Sequence, residues 1–150
     1  MSKKTKLPIR FLRLNDQGYH LALHVKINGK KAHILIDSGA SNTVFDKTRL
    51  ELFVKDPRFV PENKLSTGLG TNSMESESIQ IKKLELGTLI IADYLAVVLD
   101  LGHVNKSYES MGFKSIEGVL GSDILKKHKA VIDYGKKLLV LELPVKKKKK

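Results

Sequence analysis

Hydrophobic and polar residues alternate most regularly between Tyr19 and Ile27. Tyr19, Leu21, Leu23, Val25 and Ile27 fall on one face, and His20, Ala22, His24 and Lys26 on the other. A period of two marks a strand with one face toward a core. On that reading His20 and His24 belong to a solvated face. Asn28-Gly29 follows, a residue pair that suits a two-residue hairpin turn. Lys30 to Ile36 reads as the returning strand and runs directly into Asp37-Ser38-Gly39-Ala40. Upstream, Ile9 to Leu14 predicts another strand, closed by Asn15-Asp16-Gln17-Gly18. Residues 1–8 read as a flexible basic lead.

Beyond the acid, Thr43-Val44-Phe45 is a short apolar segment. Asp46 to Phe53 predicts a helix capped by Asp46, with Leu50 and Phe53 facing inward. Lys55 to Lys64, with Pro57 and Pro61, reads as a surface loop. Leu65 to Ser78 holds small polar residues around Gly68-Leu69-Gly70-Thr71, with Leu65, Leu69 and Met74 as its apolar anchors. A mobile hairpin and a merely flexible loop fit that composition equally well. Ile79 to Ile91 predicts two strands turning near Gly87, and Tyr94 to Leu99 a third. Gly102 to Ser115 reads as a long polar connection. Ser122 to His128 predicts a short helix capped by Ser122, and Ala130–Tyr134 with Leu138–Leu143 a final hairpin about Gly135. Many short strands with two short helices make a mostly β domain, a closed or partly open barrel.

Composition narrows this picture. The 150 residues, 41% of them apolar, suit one domain with a core. Residues 9–144 carry that domain, between the lead and a lysine tail over 145–150. There is no cysteine, so no disulfide framework or thiolate metal site is available. No signal peptide or membrane-spanning run is apparent, and a cytoplasmic location without membrane insertion is the expectation. The formal net charge of +11 invites a nucleic-acid reading, but five of those charges sit in residues 146–150. No basic–aromatic stripe suggests base stacking, so no specific nucleic-acid partner is expected. The five histidines show no metal-ligand spacing, and neither a phosphate loop nor a Gly-x-Ser-x-Gly elbow occurs. No cofactor or metal is implied.

Asp37-Ser38-Gly39-Ala40 admits two readings. Asp, Ser and Gly commonly end a strand. The sharper alternative is a catalytic carboxylate held at a strand end by a tight glycine loop. The four residues resemble the active-site signature of the aspartic proteases. Gly118-Val119-Leu120-Gly121 with the helix after it, and then Ala130 to Tyr134, are similar to the later elements of retroviral-type enzymes. Gly68-Leu69-Gly70-Thr71 stands where their flap is expected. The resemblance to the retropepsin-like family, cellular and bacterial members included, covers roughly residues 20–143.

The resemblance implies an all-β, small closed or partly open barrel with a flap hairpin and one or two short helices. It implies an aspartic-type endopeptidase without cofactors, acting on an extended peptide or protein. Asp37 would be catalytic, and because the signature occurs once, a homodimer would supply the second carboxylate. Ser38 would bond across to the opposite loop, while Gly39 and Ala40 would leave room beside the carboxylates. Val119, Leu120 and Gly121 would support the loop, and Gly68, Leu69, Gly70, Thr71 and Met74 would form the flap over substrate. The stretch over 103–114 departs from the compact family pattern. The rival is a catalytically silent relative, or a small β domain that binds peptide or protein. A basic nucleic-acid module is a third class.

Overall fold

The computed structural model describes residues 3–14, 18–55, 57–61 and 77–145. Its strands are β1 (Lys4–Pro8), β2 (Arg10–Arg13), β3 (Tyr19–Ile27), β4 (Lys30–Ile36), β5 (Val44–Asp46), β6 (Val60–Pro61), β7 (Glu77–Leu86), β8 (Leu89–Leu99), β9 (Gly118–Leu120), β10 (Val131–Asp133) and β11 (Leu138–Glu142). Helices α1 (Gly102–Ser110) and α2 (Ser122–Lys127) interrupt the later strands.

The Asn28-Gly29 turn forms as the sequence predicts. Both residues are left-handed, at φ 51° and 83°, as a primed hairpin turn needs. The turn sets β4 on β3 with Leu21 opposite Ile36 and His24 opposite His33. Neighbouring strands then continue β3-β4-β9-β5-β8-β7, and β7 returns to β3 through Lys26↔Glu85 and Ile27↔Leu84. Six strands thus close a barrel, which removes open edges from its wall. Leu23, Val25, Ile27, Ile34, Phe45, Ile81, Leu84 and Leu120 fill it.

The other face of β3 and β4 is not simply solvated. Ala22 is fully buried, and Leu35 joins it under Leu12, Ile116 and Tyr108 in a second apolar cluster. Tyr108 comes from α1, so the connection expected over Gly102–Ser115 is instead a helix followed by a short loop. Its core-facing side consists of Asn105 and Tyr108, too few apolar positions for a helical period to show. His20 is exposed and His24 half-buried.

Four other expectations need correction. Residues 1–8 are not a flexible lead throughout, because Lys4–Pro8 pairs antiparallel with β11 as the edge of a β1-β11-β10 sheet. Thr5, Leu7 and Ile9 are buried while Lys4, Lys6 and Pro8 face out. An edge place also tolerates Pro8, which has no N–H to donate. Asp46 ends a strand rather than capping a helix, and the helix of residues 46–53 shrinks to one 3-10 turn, Leu50–Leu52. The three strands predicted between Ile79 and Leu99 are two. Asp93 takes φ 50° inside β8, yet the β7–β8 register is the same on both sides of it. The cap position of α2 is Gly121, not Ser122. Among the described residues no helix is long and apolar enough to cross a membrane. Residues 146–150 of the tail lie outside the described residues.

Candidate active site

Asp37 is the first residue past β4. Its N–H donates to the Leu120 carbonyl at 2.9 Å, and its own carbonyl accepts from the Ala40 N–H at 3.1 Å. The side chain folds back so that Oδ1 accepts from the Gly39 N–H at 3.0 Å. The carboxylate is thereby aimed by backbone geometry while the residue stays exposed. Strands β4 and β9 run parallel, with Ile36 opposite Leu120, and the loop hangs from their shared end.

Two glycines let the strands and loop approach. A Cβ on Gly121 would lie 2.5 Å from the Asn42 carbonyl oxygen and 2.9 Å from that of Ala40. A Cβ on Gly118 would meet the Val44 carbonyl oxygen at 2.6 Å and the Phe45 ring at 2.8 Å. Both clashes are too short for real carbon atoms, so only glycine fits. The Ser122 N–H then donates to the Ala40 carbonyl at 2.7 Å, closing the loop onto the start of α2.

Asp37 and Ser38 open onto a cavity of about 330 Å³. Leu35, Ile36, Val119 and Ile132 give it apolar walls, while Tyr19, His20 and Tyr134 stand at its polar parts. The fold thus brings Asp37, Ser38, Gly39, Ala40, Val119, Leu120 and Gly121 together. Gly68, Leu69, Gly70, Thr71 and Met74 lie outside the described residues. On either side of that stretch, β6 pairs antiparallel with β7.

Two features of the site were not legible beforehand. The Asp123 carboxylate braces the loop from behind: Oδ1 accepts from the Thr43 N–H at 2.8 Å and from its hydroxyl at 2.7 Å, and Oδ2 from the Tyr94 hydroxyl at 3.2 Å. Thr43 Oγ1 in turn accepts from the Gly121 N–H at 3.0 Å. Burial, then the neighbouring Asp123 charge, pushes the Tyr94 hydroxyl well above its ordinary pKa, so it remains a donor. Thr43 lies 80 residues from Asp123 in the chain and Tyr94 29, and no local spacing announces them. The second feature is a hydrogen bond between His20 Nδ1 and the Tyr108 hydroxyl, at 2.5 Å. It ties the cavity wall to α1.

Comparison with known proteins agrees with this arrangement. Residues 23–124 match the family profile described as aspartyl protease. The chain belongs to the aspartyl protease family. Its fold is that of the retropepsin-like domain. A retropepsin-like aspartic protease from Rickettsia conorii superposes with a TM-score of 0.58 at 20% identity, over 95% of this chain and 94% of that one. The EIAV protease, in complex with the inhibitor HBY-793, gives 0.53 at 20% identity over 77% and 93%. In sequence, the DNA damage-inducible protein 1 of Chaetomium globosum is 28% identical over 126 residues, which is 81% of this chain. The match spans only 24% of that relative's length.

Proposed function

We propose that the chain is an aspartic-type endopeptidase that works as a homodimer, with Asp37 of two subunits sharing one site. The observation that carries this reading is the Asp37 carboxylate itself. It is exposed beside a cavity of about 330 Å³, and among the described residues it has a single hydrogen-bond donor, the Gly39 N–H. Its remaining lone pairs are available to water and substrate.

Two such carboxylates in contact cannot both ionise comfortably, so the pair holds one proton between them. The ionised Asp37 takes a proton from water as the water oxygen attacks the scissile carbonyl carbon. The protonated Asp37 hydrogen-bonds the carbonyl oxygen and gives it that proton as charge develops. A tetrahedral diol results. Proton transfer to the amide nitrogen, with return of a hydroxyl proton to the dyad, breaks the C–N bond and leaves a carboxylic acid and an amine. In this scheme Ser38 bonds the opposite loop. Residues Gly68, Leu69, Gly70, Thr71 and Met74 close over an extended peptide, for which the β6–β7 pairing supplies a base.

The test is cleavage of a peptide library from acidic to neutral pH by the parent and by Asp37→Asn, with sedimentation equilibrium on both. The expected result is cleavage by the parent alone from two equally dimeric proteins. Cleavage retained by Asp37→Asn would sink the dyad. A dimeric parent that cleaves nothing would leave a silent peptide-binding domain instead.

A further inference from the structure

The β3–β4 register has Leu21 opposite Ile36. Carried one step further, it sets His20 opposite Asp37, and both residues line the same cavity of about 330 Å³. Asp37 is the one carboxylate among the lining residues, and most of the others are apolar. The proposed proteolysis gives His20 no task.

The His20 ring is nevertheless held. Its Nδ1 lies 2.5 Å from the hydroxyl of Tyr108. Tyr108 comes from α1, is only 3% exposed, and packs in the second apolar cluster with Leu35 and Ile116. Burial pushes the Tyr108 hydroxyl above its ordinary pKa, so it keeps its proton. Among the described residues His20 Nδ1 is the partner of that hydroxyl, and a buried hydroxyl proton without an acceptor is costly. A neutral His20 ring therefore accepts at Nδ1 and carries its own proton on Nε2. A protonated ring carries one on Nε2 as well. In either state Nε2 is a donor, and it has no partner among the described residues. The two nitrogens of an imidazole face away from each other. With Nδ1 turned to α1, the Nε2–H is left to the open side of an exposed residue.

We infer that His20 selects the peptide, its Nε2–H donating to the side-chain oxygen of a glutamine lodged in the cavity beside the scissile bond. The inference rests on the proposed peptide site. The two methylenes of glutamine suit the apolar walls at Leu35, Ile36 and Val119, and its carbonyl oxygen takes the N–H. Tyr19 and Tyr134 line the same cavity, and their hydroxyls can accept the amide protons. Glutamate offers the same oxygen but sets a second negative charge beside the ionised Asp37. Methionine matches the stem without the oxygen. Tyr108 acts through His20 and is a positioning residue.

The experiment presents one random peptide library to the full chain in two ways at one fixed pH. The parent cleaves it and the products are sequenced, and immobilised Asp37→Asn retains peptides from it. Each arm is repeated with His20→Phe, which keeps a ring without the N–H, and with Tyr108→Phe. The expected result is one peptide position where glutamine is enriched roughly ten-fold over methionine, the scale of one hydrogen bond, with glutamate between them. His20→Phe should abolish that ratio. Tyr108→Phe should lower it while leaving retention of methionine peptides unchanged, which a merely structural role would not do. Cleavage without a glutamine preference, or with one that survives His20→Phe, would overturn the inference and leave the protease reading standing. Glutamine-dependent retention without cleavage by the parent would uphold the subsite and sink the protease reading. A chain that neither retains nor cleaves would overturn both.

Discussion

Asp37 and Asp46 both stand at the end of a strand, nine positions apart, and their surroundings are opposite. Asp46 is fully buried. It accepts from the Thr48 N–H and hydroxyl, the Leu101 N–H and the Asn105 amide, at 2.9 to 3.2 Å. Asn105 goes on to bond Ile116 through both its N–H and C=O groups. Asp37 is exposed, and among the described residues its carboxylate accepts from one backbone N–H. A carboxylate whose acceptor sites are filled by its own chain organises structure. One left with open lone pairs at a cavity is equipped for chemistry. On the proposed reading, the same side chain takes opposite tasks according to the number of donors around it.

The largest expected effect separates the two aspartates by activity. Asp37→Asn should lower cleavage by roughly ten-thousand-fold, on the scale of the loss of a catalytic group. Its melting temperature should stay within about 2 °C of the parent's. A melting shift as large as that of an Asp46 variant would erase the contrast. Next comes Asp46→Ala, which takes the acceptor from the Thr48, Leu101 and buried Asn105 donors. A loss of about 3 kcal/mol or more is expected, read as a lower urea midpoint at unchanged slope. A midpoint within error of the parent's would show that water replaces the carboxylate cheaply.

Gly121→Ala sharpens the comparison from the Asp37 side. Gly121 sits at φ −102° and ψ −178°, which alanine also adopts, so the penalty is the clash with the Asn42 and Ala40 carbonyls alone. Overpacking of this kind costs about 1–3 kcal/mol. Because it displaces the Asp37 loop, cleavage should fall by more than stability predicts. Equal falls would mean that the loop's position does not matter to the chemistry.

A smaller effect concerns pH. Burial, as the first cause, lowers the pKa of both His24 and His33 below the ordinary value of 6.5. Their contribution is therefore complete above pH 6.5 and is lost as pH falls from there through the folded-state values, because the unfolded chain takes up protons first. The melting temperature should drop between pH 7.5 and 5.5, and His33→Gln should flatten that drop. An equally steep drop in the variant would assign it to other groups. The smallest change is Tyr108→Phe, which removes one hydroxyl and its bond to His20. About 1 kcal/mol is expected, measured by thermal melting.

The Asp37 side of the comparison was readable from the sequence because everything that fixes it is local. Alternation from Tyr19 to Ile27, the Asn28-Gly29 turn and an acid at the return strand's end place Asp37 within twenty residues. The Asp46 side was not readable, because its donors come from Leu101 and Asn105, more than fifty residues on. Asp46 passed for a helix cap, since an Asp-x-Thr turn and a cap share the same short-range bond. The strand β1 was hidden for a different reason: its alternation is present at Thr5, Leu7 and Ile9, but lysines and Pro8 mask it. Helix α1 was obscured by having only Asn105 and Tyr108 on its inner side. The brace of Thr43, Tyr94 and Asp123 exists only once three distant segments meet.

The barrel's closure has a consequence for the order in which the molecule assembles. Only Lys26↔Glu85 and Ile27↔Leu84 join β7 back to β3. Asn28 reinforces that seam: its N–H donates to the Lys83 carbonyl at 2.8 Å, its Oδ1 accepts from the Lys83 N–H at 3.1 Å, and its Nδ2 donates to Phe53. Closing a hairpin across two residues is cheap, whereas joining segments more than fifty residues apart costs roughly 3 kcal/mol more in chain entropy. The β3–β4 hairpin is thus expected to fold early and the seam to lock last. Native-state hydrogen exchange would then find the Asn28 and Lys83 amides released by a cheaper opening than that of Leu23, and equal protection would deny it. The turn that starts the hairpin is also the latch that finishes the barrel.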